Sequence, residues 1–366
     1  MTVTARLEPA KAFRAGCQLM QESRLPEAMR AFLAVLDQRP DHAASLVNLA
    51  TCHLQLGAIQ PAKYYYRQAL DLTPHDPQIL FNLGVIYAQL GETGEAVHYY
   101  QRTLSIHPDD FPAHYNLALI LRETGRIQDA VSHLLSAKNL QPDHQTVQYL
   151  LQTIAADTNA SEAPKNYLTD LFDDYADHYD DHLQKALQYT LPEKMLQSIS
   201  AYLQTKPAYA ILDIGCGTGL CGAHFRPFAK TLTGIDLSEK MLSHARSKNI
   251  YDALVAGDFR EILSDNTQKY DLILAGDVLV YFGELAEVFG IIFNALSQQG
   301  IFVFNTETHD EPGWKIKQSG RFGHNKQDLL MLAQKTGFEV LCDENITGRI
   351  QNDLPVAGNF YVFGKP

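Results

Sequence analysis

Apolar positions in the first 142 residues recur with a period of 34. Ala28, Ala62, Ala96 and Ala130 hold one position of the repeat, and Phe32, Tyr66, Tyr100 and Leu134 hold another. Pro40, Pro74, Pro108 and Pro142 keep the same spacing, and Gly57, Gly91 and Gly125 mark a turn inside each unit. Asn48-Leu49-Ala50, Asn82-Leu83-Gly84 and Asn116-Leu117-Ala118 repeat in register. The pattern predicts two helices per unit. A small residue on the first helix (Gly16, Ala50, Gly84, Ala118) and the alanine series on the second let the pair approach. The Phe32 series fills the gap, and the proline stops the second helix. One such pair cannot bury its own apolar face, so the units must stack.

From residue 207 the pattern changes. Short apolar runs at 210–214, 231–235, 253–255, 272–275, 300–304, 338–341 and 360–363 predict seven strands, the earlier ones separated by amphipathic segments. Such alternation argues for a doubly wound sheet with a mainly parallel core. Between the halves, 143–156 reads as a solvating cap helix. The stretch 157–164 is small and polar and ends in proline, which reads as a linker. The expected organisation is a repeat domain over 1–156, a linker over 157–165, a helical lid over 166–206 and an α/β domain over 207–366.

Composition narrows the picture. A length of 366 residues suits two domains. The net charge of −12 disfavours nucleic acid as a partner, because an acidic chain is repelled by phosphate backbones. Some of that charge is local, with Asp170, Asp173, Asp174, Asp177, Asp180 and Asp181 close together. No apolar run approaches the ~20 residues needed to span a bilayer, and the first residues lack the series of a signal peptide. Five scattered cysteines form no CxxC pair and no zinc spacing, which fits a reducing cytoplasm.

The repeat resembles the tetratricopeptide family over residues 9–142, with Arg14 in the first unit where the others carry asparagine. The resemblance implies an all-α solenoid whose first helices line a concave groove, here with Phe13, Val47, Phe81, Tyr115 and Arg122. The lysine/asparagine clamp for a terminal carboxylate is missing. Such a groove recruits a protein or peptide partner, or else the module packs on the enzyme or self-associates, a homodimer included. The Tyr64-Tyr65-Tyr66 and Tyr99-Tyr100 runs read as consensus, with one tyrosine in the core and its neighbours at the surface.

The first strand of the second half runs into Asp213-Ile-Gly215-Cys216-Gly217-Thr-Gly219. Glycines at a strand-to-helix turn let backbone approach a ligand, with helix N–H groups facing it. Asp236 ends the next strand, where an acid accepts hydrogen bonds from ribose hydroxyls. Gly217-x-Gly219-x-x-Gly222 also satisfies a dinucleotide pattern, so the glycines alone do not decide the ligand. Asp213 ahead of them, Gly257-Asp258-Phe259 after the third strand and two closely spaced C-terminal strands resemble class I S-adenosylmethionine-dependent methyltransferases. That resemblance implies a Rossmann-like domain with a seven-stranded, mainly parallel sheet and one reversed strand. It places Asp236 on the ribose, Asp258 on the adenine amino group, and Gly276, Asp277 and Val278 near the methionine end. Gly215, Cys216, Gly217, Leu237, Met241 and Phe259 complete the expected pocket. The cofactor would be S-adenosylmethionine, leaving as S-adenosylhomocysteine, with no metal.

The segment Leu171-Phe-Asp-Asp-Tyr175-Ala-Asp-His178-Tyr179-Asp-Asp-His182-Leu183, with Leu187 and Tyr189 beyond it, resembles the pre-sheet helix of bacterial methyltransferases fused to tetratricopeptide repeats. In such enzymes this helix lies over the cofactor. Tyr175 and Tyr179 are four apart and share a helix face, where they either cover the sulfonium or pack the helix onto the sheet. His178 and His182 have metal-ligand spacing, but the surrounding acids suit a solvated face. Candidates for the chemistry follow the fourth and fifth strands. These are Tyr281, Glu307, Arg321 as a fork for a carboxylate or phosphate, and His324 as a base near neutral pH. For each, a purely structural role is the competing reading. The expected reaction moves a methyl group to an oxygen, carboxyl or carbon acceptor on a metabolite or carrier-bound substrate. The alternative is a protein methyltransferase whose repeat groove selects the client.

Overall fold

A computed structural model describes residues 8–155, 160–180, 190–265, 267–351 and 354–366. The chain divides into two compact units, 1–147 and 148–366.

The first unit is a run of antiparallel helix pairs: α1 Pro9–Gln21, α2 Leu25–Leu36, α3 Ala43–Gln55, α4 Ile59–Leu72, α5 Pro77–Gln89, α6 Thr93–Ile106, α7 Phe111–Glu123 and α8 Ile127–Leu140. Local chemistry sets the starts. Asp76 accepts from the Gln78 and Ile79 N–H groups, Asp110 from Ala113, and a proline follows within the first turn of each. The turn glycines Gly57, Gly91 and Gly125 all have positive φ, and the first unit holds that conformation with Ser23, at φ 58°. The alanine series and the Phe32 series are fully buried, so the repeat period is the period of the core. The tyrosine runs depart from the expectation at one point. Tyr64 is exposed, but Tyr99 is buried, because its ring stacks on Tyr87 at 5.2 Å between centroids.

Helix α9, Gln145–Ala155, spans the division between the units. It is not a simple solvating cap. Within the second unit Tyr149 and Leu150 are buried, and the Tyr149 hydroxyl donates to the Gly320 carbonyl at 2.7 Å. The polar stretch read as a linker is also engaged. Glu162 bridges Phe282 antiparallel, Gly283 N–H donates to Ser161 O at 2.7 Å, and Ala163 N–H donates to Tyr281 O at 2.9 Å. Helix α10, Lys165–Tyr175, and a 3-10 turn at Ala176–His178 follow, then α11, Leu191–Ser198.

The sheet starts with β1 Tyr209–Ile214, β2 Ala229–Asp236, β3 Ala253–Ala256, β4 Tyr270–Ala275 and β5 Leu296–Thr308, ordered β3-β2-β1-β4-β5 and all parallel. β8 Glu339–Gln351 and β9 Leu354–Gly364 form a hairpin in which β9 runs antiparallel to β5. These are the seven strands expected, with β9 the reversed one. Two short strands add to them, β6 Trp314–Ile316 and β7 Phe322–His324. They pair antiparallel with each other, and β7 extends the sheet at the end of β5. β1, β4 and β5 are buried on both faces, as parallel strands covered by helices must be. The helices are α12 Leu220–Phe225, α13 Glu239–Ser247, α14 Phe259–Ser264, α15 Ala286–Ala295 and α16 Lys326–Thr336. Strand order reverses between β1 and β4, and open α/β sheets bind ligands in the crevice beyond the strand ends at such a point.

Candidate active site

A cleft of about 780 Å³, its open mouth included, lies at the carboxyl ends of β1 to β4. Each strand contributes the residues that follow it: Gly215 and Gly217; Asp236, Leu237 and Met241; Gly257, Asp258 and Phe259; Gly276, Asp277 and Val278. Leu168, Phe172 and Tyr179 wall it from the side of α10, and Tyr281 and Phe282 from the loop after β4. The sequence-derived residues Gly215, Gly217, Asp236, Leu237, Met241, Asp258, Phe259, Gly276, Asp277, Val278, Tyr179 and Tyr281 therefore line one cleft.

Three others do not line it. Asp213 is buried, accepts from the Tyr251 hydroxyl at 2.7 Å, and is pushed up to about 7, chiefly by burial. Cys216 is buried under Gly234, and its thiol is raised by the same desolvation. Tyr175 sits edge-on to Tyr179, 5.5 Å between centroids.

The glycine turn and the β2 acid are wired together. Gly215 has φ 62°, and a Cβ there would lie 2.3 Å from Val278 Cγ2. One Asp236 oxygen accepts from Gly217 N–H at 2.8 Å, and the other from Ser238 N–H at 2.9 Å. Burial raises this carboxyl, and those donors oppose the rise. A carboxylate offers about four lone-pair sites, so acceptor capacity remains for a ligand hydroxyl.

At the next strand end, Asp258 caps α14 through Arg260 N–H at 2.8 Å. It also pairs with Arg260 Nη2 at 2.8 Å and Lys165 Nζ at 2.9 Å. Burial alone would raise it, but the Arg260 and Lys165 contacts outweigh burial and hold it down at about 2. Arg260 also reaches Glu162 at 2.6 Å. Lys165 and Arg260 line the cleft and were not found from sequence. Arg260 sits two residues after a recognised acid, which is the only local hint of it.

At the β4 end, Asp277 holds φ 56°, rare for a residue with a side chain. A reciprocal pair keeps it there: Asp277 N–H donates to Asn305 Oδ1 at 2.7 Å, and Asn305 Nδ2 donates to Asp277 Oδ1 at 2.8 Å. The Arg321 guanidinium lies 5.2 Å from the Tyr281 ring centroid, with Nη1 3.6 Å from Asp277 and 3.8 Å from Glu307. Glu307 pairs with Lys317 at 2.8 Å. His324 lies 3.2 Å from the Gly283 carbonyl through Nε2, and burial lowers it to about 4. Of the four residues expected to do chemistry, only Tyr281 lines the cleft. Arg321 packs on Tyr281 with Glu307 beside it, and His324 meets the loop that carries Tyr281 at the Gly283 carbonyl.

Phe172 meets Tyr281 edge-on at 5.8 Å, joining α10 to that loop. His182, Leu183, Leu187 and Tyr189 lie outside the described residues, as does the side chain of His178, so the histidine pair is not part of this description.

Comparison with known proteins agrees with this division of the chain. Residues 205–348 match a methyltransferase domain model, and 13–77, 77–110 and 99–132 match tetratricopeptide repeat models. The chain is 29% identical over 104 residues to a malonyl-[acyl-carrier protein] O-methyltransferase of Yersinia pestis, covering 28% of this chain and 38% of that protein. It is 27% identical over 171 residues to the sterol 24-C-methyltransferase of Schizosaccharomyces pombe, covering 41% and 45%. These matches span less than half the length of either relative. Among solved structures, the magnesium protoporphyrin IX methyltransferase of Synechocystis PCC 6803 with bound SAH overlays at a TM-score of 0.44 and 16% identity, over 55% of this chain and 99% of that one. Over residues 205–348 the chain is thus similar to methyltransferase domains, and the segments similar to tetratricopeptide repeats precede that stretch.

Proposed function

We propose that the protein binds S-adenosylmethionine in the cleft and transfers its methyl group to an oxygen, carboxyl or carbon acceptor on a metabolite or carrier-bound substrate. The observation that carries this reading is the convergence of Gly215, Gly217, Asp236, Asp258 and Asp277 on one cleft. The residues fit such a cofactor. The turn at Gly215 leaves no room for a Cβ, and Asp236 keeps acceptor capacity for ribose hydroxyls. Leu237, Met241 and Phe259 offer apolar surface for a purine.

S-adenosylmethionine, when bound, supplies a methyl group already activated on a sulfonium, so what is asked of the protein is position. Tyr281 is our candidate for the residue that meets the acceptor. Burial raises its phenol, with Arg321 opposing, so it keeps its proton at neutral pH and orients an acceptor by hydrogen bonding rather than acting as a base. Arg321 acts through Tyr281 and Asp277 and is a positioning residue. Lys165 and Arg260 keep Asp258 ionised at the opposite end.

Titration calorimetry with S-adenosylmethionine tests the cofactor assignment. Binding that is lost in Asp236→Ala supports it, and no binding by the wild type sinks it. Labelled-methyl transfer into a lysate split into protein and small-molecule fractions tests the acceptor class. Label among small molecules, reduced in Tyr281→Phe while cofactor affinity holds, supports the reading above. The tetratricopeptide matches favour a second reading, methylation of a protein recruited through the groove, and label confined to protein would select it.

A further inference from the structure

We propose that Asp173 and Asp180 are positioning residues that latch α10 and the turn after it onto the two loops forming the cofactor wall, so that closure and cofactor binding reinforce each other. The proposal rests on the cleft being an S-adenosylmethionine site.

One side of the segment 165–180 supplies Leu168, Phe172 and Tyr179 to the cleft. The same segment also presents Asp173, Asp177 and Asp180, whose partners here fall on two stretches of chain. Asp173 accepts from the Ser238 hydroxyl, and Asp180 accepts from the Thr218 hydroxyl. Asp177 pairs with Lys240 at 2.8 Å and His244 at 3.1 Å, and Asp180 pairs with Lys248 at 2.7 Å.

The two hydroxyl partners are buried and occupy telling positions. Thr218 follows Gly217 in the glycine turn. Ser238 follows the β2 acid by two residues, donates its N–H to Asp236, and caps α13 by accepting from Met241 N–H. Each carboxylate thus grips the loop that presents a cofactor-facing group. The lysine and histidine pairs are half-exposed, so salt screens them and they contribute little. Hydrogen bonds from buried hydroxyls to carboxylates are charge-assisted and stronger. If the bound cofactor holds the loops in the geometry that also engages the acids, each event favours the other by the same factor. The local run of aspartates then has a role beyond solvation.

The test uses the full chain and S-adenosylhomocysteine. Dissociation is measured for wild type, Asp180→Asn, Thr218→Val and the double variant. Amide hydrogen exchange is followed over 165–175 with and without the ligand. Each single variant should release the ligand roughly tenfold faster, the scale of one hydrogen bond to a charged group. The double should be no faster than either single, and the ligand-dependent slowing of exchange should be lost. Thr218→Ser, which keeps the hydroxyl, should restore wild-type behaviour. Additive effects, or exchange that slows normally in the variants, overturn the latch. A wild type that does not bind S-adenosylhomocysteine overturns instead the reading of the cleft on which it rests.

Discussion

Asp213 belongs to the motif that points to the cofactor, yet its carboxylate faces Tyr251 rather than the cleft. Burial raises it to about 7 in the folded chain, against roughly 3.9 unfolded. The native state therefore holds an extra proton between those values, and stability falls as pH rises through them. Asp213→Asn keeps the shape and removes the titration. Between pH 4 and 8 the wild type should lose on the order of 4 kcal/mol relative to the variant, three units at ~1.4 each. Urea unfolding at several pH values measures this, and parallel profiles would refute it. Residue-level legibility follows the range of the cause. Asp236 and Gly217 are readable because a strand end and a glycine turn are local signals. Lys165 is not, since it acts on Asp258 from far along the chain, and Arg260 shows its reach only through Glu162, 98 positions away. His324 looks like a base in sequence, and only its burial in β7 shows a ring kept uncharged by desolvation.

Among elements, the seven expected strands were legible because each carries a short apolar run, and β1, β4 and β5 are buried on both faces. The β6–β7 hairpin was not. Strands of three residues are too short for any period to show, and what orders them is tertiary contact. Trp314 meets Phe322 edge-on at 5.4 Å, and a Cβ on Gly283 would lie 2.7 Å from the indole. The hairpin thus backs the loop that carries Tyr281. Trp314 is the single tryptophan of the chain, which makes the contact directly observable. Gly283→Ala should push the indole outward and shift its fluorescence to longer wavelength, and unchanged emission would show that the hairpin does not seat there. Helix α9 teaches a similar lesson. Its place after the last repeat suggested a solvated cap, while the buried Tyr149 has its partner, Gly320, far along the chain.

At the scale of the molecule, the two compact units imply separable stability. Leu83 is fully buried in the repeat core. Leu83→Ala should cost that unit about 2–5 kcal/mol and lower its transition in scanning calorimetry. S-adenosylhomocysteine affinity should stay within about twofold, because every residue lining the cleft belongs to the other unit. A loss of affinity matching the loss of stability would show that the units melt as one. The repeat period made the first unit readable almost residue by residue, since every unit solves the same packing problem. Its groove offers no such redundancy, so the identity of a partner was not written there.

The strap at Ser161–Ala163 and the Tyr149 hydroxyl bear on how the catalytic half should be cut out for study. A fragment opened at residue 166, where the helical lid was expected to begin, would discard the backbone partners of Tyr281 and Gly283 and expose the carbonyl of Gly320. Truncations that start at 145 keep helix α9 whole and that seam closed. Inactivity in a shorter fragment would then report a torn edge, not a dependence on the repeats.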